Sequence, residues 1–561
     1  MASGQPELPD GAPSPSNAAE VSASTEPPRS RLAPWILLLV VGLVISIGIT
    51  RGEFHFNGDE MRHAVTGVFF RDLLADRPFE DPRQYVYDYY AKYPALGLAH
   101  WPPFFHFVEG VFFLIFGISA VTSRLTVLFF SLLGVYFWYR IAEREGSRYR
   151  ALAAAFIFSL VPYILLYERV TMLEIPMVAL CLGAIHFWRC FRESGRAWHL
   201  WAVAAFSAAA MLTSQKAVFL VFIIGADFLL ERRFDLLRRW DLWAALAASA
   251  AVVLPWYWLT FRTLELSYSY QRAVGRSFAH VTNWQHLVFY PYYLPQQIGY
   301  LLVALSVAGL YWTLFHAARR HRFLVLWVVA AYICYTLIQE KDLRHSMIWI
   351  PPLVYFAVLG VEALCAQRRW ALVASAGLAA YFLVGALRFD RPKIAGMEEA
   401  AQFVTSQPES DVIYYQGAYN GNFIFYVRKF DPEKRRLVAR EKQVVAVRII
   451  PAFGKREIMH TPQDFLDFVR TWGIRYAVVE NRDPQPGMTF VRAVLHSDQF
   501  ELVRRFPVWT NNPDAEGTHL LVYRYRGEIH RGSDPVVVPM LTLRDDIRAD
   551  LSRLAGRPWP H

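Results

Sequence analysis

Long apolar runs separated by short, arginine-bearing connections dominate the first 390 residues. After a polar start, Leu32 to Thr50 forms the first run. Others follow near 121–141, 150–167, 174–190, 198–213, 217–231, 241–261, 298–316, 323–338, 346–364 and 370–388. Roughly 17 to 22 apolar residues cross a hydrocarbon core of about 30 Å at 1.5 Å per residue. The pattern therefore predicts a polytopic α-helical membrane protein with about eleven spans. One further stretch, Phe104 to Ile118, is short, follows Pro102-Pro103 and carries His106 and Glu109. It reads as a juxtamembrane helix lying at the surface with its apolar face in lipid.

Basic loops mark the cytoplasmic side. The groups Arg140/Arg144/Arg148/Arg150, Arg189/Arg192/Arg196, Arg232/Arg233/Arg238/Arg239, Arg319/Arg320/Arg322 and Arg368/Arg369 all fall there, provided that Phe104 to Ile118 does not cross. The N-terminus is then cytoplasmic. Segments 51–120, Glu168 to Leu173, 262–297 and Gln339 to His345 face outward, and so does everything after residue 390. Residues 391–561 have soluble composition and predict a small extracytoplasmic α/β domain. Its expected strands are Asp411–Gly417, Asn422–Arg428, Val444–Ile450, Arg475–Glu480 and His519–Tyr525, with a helix opened by Thr461-Pro462-Gln463-Asp464 and stopped by Gly473. Residues 1–30, rich in Pro, Ser, Ala and Gly, predict a disordered cytoplasmic tail. The spanning module is then 31–390, its first run an uncleaved anchor.

Composition narrows the function. Hydrophobic residues make up 55% of the 561 and charged ones 19%, below the quarter or so of soluble domains, which excludes a soluble enzyme. The net charge of +10 comes largely from loop arginines that report orientation, so no nucleic-acid partner is expected. Four cysteines lie in or beside apolar runs without CxxC spacing, indicating neither a disulfide framework nor a zinc site. No repeat of fixed period supports a transporter built from duplicated halves.

Ionisable groups at a membrane boundary are costly unless solvated or paired, so their clusters are candidate sites. Four converge on the outward side. Asn57-Gly58-Asp59-Glu60-Met61-Arg62-His63 offers two adjacent carboxylates, one of which could take a proton from a hydroxyl, or could simply cap a helix. Tyr167 to Pro176 packs Glu168, Arg169 and Glu174 into one short connection, more charge than capping explains. Lys341 and Arg344, spaced three apart, suit a lipid-linked phosphate at headgroup depth, with interfacial snorkelling as the plainer role. Lys216 adds a cation at another outward turn. His100, Trp101 and His106 read as a cavity wall, although either histidine could touch a phosphate. The aromatics of Tyr268 to Tyr300 suit an interfacial belt or sugar stacking.

Gly58-Asp59-Glu60, Trp101-Pro102-Pro103, Arg169…Glu174-Ile175-Pro176, Leu212-Thr213 and Lys341…Arg344 before the Pro351-bearing span form an ordered set. That set, over about residues 32–390, resembles the GT-C superfamily of polyprenyl-phosphate-sugar-dependent glycosyltransferases, in particular the lipid A aminoarabinose transferases and the protein O-mannosyltransferases. The resemblance implies a multispanning helical module with external juxtamembrane helices, in a bacterial cell (inner) membrane. It implies a lipid-phosphate sugar donor used at the outer face, Asp59 as catalytic base with Glu60 beside it, and Lys341 and Arg344 on the donor phosphate. Glu174 takes the place of a second-loop Asp. Three departures stand out: that Glu for Asp, His345 where an aromatic is common, and Ser214-Gln215-Lys216 for a usual Lys-Gly-Pro.

Outside the cytoplasm there is no nucleotide-sugar supply, so an activated sugar must arrive on a lipid carrier whose phosphate is the leaving group. The expected reaction is one inverting displacement onto an acceptor glycan, lipid or protein. Glu60, Glu168 and Glu174 could orient the acceptor or hold a divalent cation through oxygen ligands. A divalent cation, Mg or Mn, held by Asp59 and Glu174, is compatible but not required. An oligosaccharyltransferase-like subunit is one alternative, although the C-terminal domain has no WWD-like tripeptide. A lipid flippase or transporter would line mid-membrane with charge, whereas Asp227 and Glu109 read as interfacial. A non-catalytic scaffold is the third.

Overall fold

The computed structural model describes residues 32–55, 58–98, 100–263, 283–448, 455–482, 489–530, 535–538 and 546–557. The tail 1–30, residues 264–282 of the third outward segment and the end of the Val444–Ile450 strand lie outside the described residues. Helices fill the chain to Arg388, and a mixed α/β region follows.

Among the described residues, six helices are long and apolar enough to cross a membrane: Ala120–Glu145, Glu174–Ser194, Trp240–Thr263, Tyr300–Ala317, Leu343–Leu364 and Arg368–Arg388. A seventh arises if Arg148–Leu160 and Pro162–Glu168, bent by 68°, count as one span. The expected count of about eleven is thus not met by helix length. Several apolar runs form shorter helices: Ala33–Ile45, Ala197–Met211 and Arg322–Thr336. The bend falls at Pro162, which cannot donate to the preceding turn. Phe104–Phe116 is likewise only 13 residues. It buries His106, Glu109, Gly110 and Phe113 and exposes Phe107, Leu114, Ile115 and Phe116, the two-sided character expected of it.

The helices pack closely where side chains permit. Gly309 and Gly360 meet backbone to backbone: a Cβ at Gly309 would lie 1.8 Å from the Phe356 oxygen, and one at Gly360 2.2 Å from that of Leu305. At one end of this layer the arginine connections hold one another through ion pairs, Arg144–Glu193 at 2.9 Å, Arg189–Glu145 at 2.7 Å and Arg192–Asp227 at 2.7 Å. Asp227 is buried in that network at the helix ends, and Glu109 is buried between helices.

Past Arg388 lies a five-stranded mixed sheet in the spatial order Leu437–Arg440, Val412–Gln416, Ile474–Glu480, His519–Tyr525, Phe500–Pro507. The first three strands run parallel, Tyr414 opposite Ala439 and Ala477; His519–Tyr525 runs antiparallel to both its neighbours. The expected strands at 411–417, 475–480 and 519–525 form. So does the helix Pro462–Trp472, with a Thr461/Asp464 capping box and Gly473 at its end. Asn422–Arg428 does not form a strand but lies in the helix Asn420–Lys429. Every residue from Asn420 to Arg428 is buried, which erases the amphipathic period that would have announced a helix. This helix packs on Asp59–Asp76, so the α/β region sits directly on the 51–98 loop.

Candidate active site

The helix Asp59–Asp76 begins after Gly58, whose φ of 54° is a left-handed turn that favours glycine. Asp59 and Glu60 fill its first turn, where the helix dipole favours carboxylates. The two diverge. Glu60 turns inward and is fully buried, accepting from the Thr171 backbone N–H at 3.1 Å and the His55 N–H at 3.0 Å. Expected beside the catalytic base, it instead ties the Glu168–Leu173 connection to the 51–58 loop. Ser123 reinforces that joint, bonding Thr171 at 2.8 Å and donating to Glu109.

Asp59, about 100° further round the helix, meets Arg344, whose Nη1 donates to Oδ2 at 3.2 Å. Arg344 opens the 3-10 turn Leu343–Trp349, capped by Asp342, which also accepts from Arg344 Nε at 2.7 Å. Glu174, the first residue of its helix, lies 3.8 Å from Arg344 Nε and accepts from Lys216 Nζ at 3.0 Å. Four segments distant in sequence thus bring three carboxylates and two cations into one cluster. Its members are incompletely paired: Asp59 and Arg344 keep 24% and 19% of their side-chain surface exposed, and Glu174 Oε2 is buried without a hydrogen-bond partner. The excess charge is negative, so an anionic substrate could enter only by displacing carboxylates from Arg344 and Lys216, whose cationic groups remain partly open.

Other expected site residues lie elsewhere. Lys341 Nζ donates to the carbonyls of Tyr335, Thr336 and Ile338 at 2.9, 2.8 and 2.6 Å, closing the end of helix Arg322–Thr336, and rests over the Tyr290 ring. The carbonyls at a helix C-terminus lack intrahelical donors, so a nearby lysine is drawn to them. Burial pushes its pKa down to about 8. Arg169 is engaged likewise, donating to Phe389 at 2.9 Å and Val44 at 2.6 Å, and with Glu168, Arg124 and Arg391 it lines a separate cavity of about 10 Å³, room for one water. The three residues of the 168–174 connection therefore divide, with only Glu174 in the cluster.

The aromatic wall is closer. His106 is fully buried, its Nδ1 at 3.2 Å from the Pro102 oxygen and its Nε2 at 3.0 Å from His63 Nδ1. Trp101 packs on His63 with ring centroids 4.5 Å apart, and His100 meets Trp101 edge-on at 6.1 Å. His63 was not singled out from the sequence, although its place four residues after Asp59 puts both on one helix face. Among the described residues no group of three His, Cys, Asp or Glu side chains can hold a metal ion. Asp59 and Glu174, the expected ligands of a divalent cation, have Arg344 between them, so this donor set does not fit one.

The family model for dolichyl-phosphate-mannose-protein mannosyltransferases matches residues 100–258. No curated protein matches the chain. Among solved structures, ArnT from Cupriavidus metallidurans bound to undecaprenyl phosphate superposes with a TM-score of 0.61 at 15% identity, over 90% of this chain and 100% of that one. Its apo structure gives 0.58 at 16% identity, over 87% and 97%. The Archaeoglobus fulgidus oligosaccharyltransferase in complex with Zn and sulfate lies further off, at 0.47 and 10% identity over 79% and 68%. The ArnT matches run through the helical module and the α/β region alike.

Proposed function

We propose that this chain, a membrane glycosyltransferase of the GT-C fold, transfers a sugar from a polyprenyl-phosphate donor to an acceptor hydroxyl at the non-cytoplasmic face of a bacterial inner membrane. The observation that carries the reading is the Asp59–Arg344 contact at 3.2 Å, with Glu174 and Lys216 on the other side of the guanidinium. A proton acceptor and a pair of cations stand within the span of a sugar and its phosphate. Undecaprenyl phosphate bound to ArnT supports a lipid of this class as the carrier.

The donor phosphate takes Arg344 and Lys216, both of which it attracts more strongly than single carboxylate oxygens do, because a phosphate offers several charged acceptor atoms to a guanidinium fork. Withdrawing Arg344 releases Asp59. The freed carboxylate accepts the proton of the acceptor hydroxyl as that oxygen bonds to the anomeric carbon, while the bond from this carbon to the phosphate oxygen breaks and its electron pair leaves on the phosphate. Attack and departure on opposite faces invert the anomeric centre. Glu60 orients this step by fixing the first turn of the Asp59 helix, and the α/β region, seated on the same loop, belongs to the wall against which the acceptor docks.

The test is to incubate the full-length protein in detergent with a panel of undecaprenyl-phosphate-linked sugars and follow donor consumption. Wild type consumes at least one donor and Asp59→Asn consumes none at a comparable rate. A donor panel left chemically intact by wild type, or equal rates in both proteins, overturns the reading in favour of a transporter or scaffold.

A further inference from the structure

His63 lies one helical turn beyond Asp59, fully buried, and the hydrogen bonds of its ring determine where its proton sits. The Pro102 carbonyl can only accept, so His106 Nδ1 carries a hydrogen and Nε2 of the same ring is a lone pair. That lone pair stands 3.0 Å from His63 Nδ1, which must therefore be the donor. In a neutral ring, His63 Nε2 is then a lone pair too. Burial, and then the neighbouring His106 and the cations Arg344, Arg62 and Lys216, hold the pKa of this ring well below its ordinary value, so it stays neutral. His63 Nε2 has no hydrogen-bond partner among the described residues, and it is not among the atoms sealed from solvent.

The charged groups gathered at Asp59, on the same helix face, restrict what this atom can meet. Arg344 and Lys216 are donors, and Asp59 and Glu174 are the acceptors they engage. His63 Nε2 is thus an unengaged neutral acceptor one helical turn from Asp59, the carboxylate that meets Arg344. A phosphate oxygen would be repelled by its lone pair, and a cation would prefer the carboxylates. A hydroxyl fits, and Trp101, 4.5 Å from the imidazole, offers the apolar face against which a sugar ring lies. We propose that His63 Nε2 accepts a hydrogen bond from a hydroxyl of a sugar bound at the Arg344 cluster, and so selects sugars bearing a hydroxyl at that position. This rests on the glycosyl-transfer reading. The hydroxyl belongs either to the transferred sugar or to the acceptor.

The experiment uses full-length protein in detergent and the undecaprenyl-phosphate sugar that wild type consumes, with undecaprenyl phosphate alone as the sugar-free probe. His63→Phe keeps the ring and removes the acceptor atom; His63→Gln places an amide oxygen at similar reach. If the hydroxyl is on the transferred sugar, His63→Phe weakens donor binding about three- to tenfold, the range for one uncharged hydrogen bond, leaves undecaprenyl phosphate binding unchanged, and is rescued by His63→Gln. If it is on the acceptor, donor binding is unchanged and the rate of transfer falls by that factor, again rescued by Gln. Equal behaviour of His63→Phe and wild type in both arms overturns the inference and leaves the glycosyl-transfer reading standing, as does a loss of undecaprenyl phosphate binding equal to that of the donor, which marks a structural role. If wild type consumes no donor, both fall.

Discussion

Asp59 and Asp72 lie on one helix, and each meets an arginine from a distant part of the chain, yet the two pairs are built differently. Asp72 takes Arg428 through two hydrogen bonds at 2.8 and 2.7 Å and also accepts from Tyr89 and from its neighbour Arg71, each at 2.7 Å; the side chains of Asp72 and Arg428 are 0% and 3% exposed. Burial alone would raise the Asp72 pKa, but Arg428 outweighs it and holds the carboxyl below its usual range. Asp59 has one bond of 3.2 Å to Arg344, and both side chains reach solvent. The closed pair has no capacity left for a ligand and joins the α/β region to the 51–98 loop. The open pair can be parted at little cost, because neither partner gives up an ideal geometry.

The comparison breaks first at its strongest claim. Asp59→Asn is expected to lower donor consumption by about 10²- to 10⁴-fold, the usual weight of a general base, with thermal unfolding shifted by less than about 0.5 kcal/mol, as at a partly exposed position. A comparable loss of stability would make Asp59 a second structural carboxylate. Arg428→Met is expected to do the converse, destabilising by about 3 kcal/mol because it leaves a fully buried carboxylate with only the partly exposed Arg71 and the Tyr89 hydroxyl as partners. Adding Asp72→Leu should recover most of that loss, since two apolar side chains then replace the buried pair and the remaining partner, Arg71, is 32% exposed and can turn to solvent. Failure of the double variant to recover would mean that the pair also sets the docking geometry of the α/β region.

Next in size is the contrast between two cations three residues apart. Arg344→Met removes a charged hydrogen-bond donor and should weaken binding of undecaprenyl phosphate by about 10- to 100-fold. Lys341→Met, whose ammonium serves three backbone carbonyls, should change it less than about threefold while lowering the melting temperature. The reverse ranking would restore Lys341 as the phosphate contact that sequence reasoning made it.

These cases also mark how far the sequence was legible. Asp59, Glu174, Lys216 and Arg344 could be found because charge at the end of an apolar run demands a partner or a purpose, and hydropathy makes such runs visible. Lys341 carries the same signal but goes to a helix end whose unsatisfied carbonyls do not appear in a residue string. Glu60 and Asp59 are indistinguishable as adjacent acids until helix phase turns one inward and one outward. The Asn420–Lys429 helix, buried on all sides, read as a strand because its aromatic and β-branched content was the only pattern left. Breaks such as the bend at Pro162 and the 3-10 turn Gln215–Val218, which hydropathy does not show, help to leave six or seven helices of spanning length among the described residues.

Glu53 tests the closed side of the comparison from a third position. Its carboxylate accepts from the N–H groups of Gly396, Met397 and Glu398 at 3.0, 3.1 and 2.9 Å, and from Asn422 at 3.1 Å, so it caps the helix Met397–Thr405 from the far end of the chain. Burial raises its pKa to about 7 against the pull of those donors. A carboxyl whose folded pKa lies above its ordinary 4.5 binds its proton more tightly in the folded chain. Its contribution to stability is therefore complete below about pH 4.5 and declines as pH rises toward 7, by at most about 1.4 kcal/mol per pH unit. Thermal unfolding across that window should show the decline in wild type and a flatter profile in Glu53→Gln, whose amide oxygen still accepts but does not titrate. If wild-type stability rises over the window instead, the backbone donors outweigh burial. The junction between loop and α/β region is then held by a charged cap as well as by the Asp72–Arg428 pair, and loosens in acid.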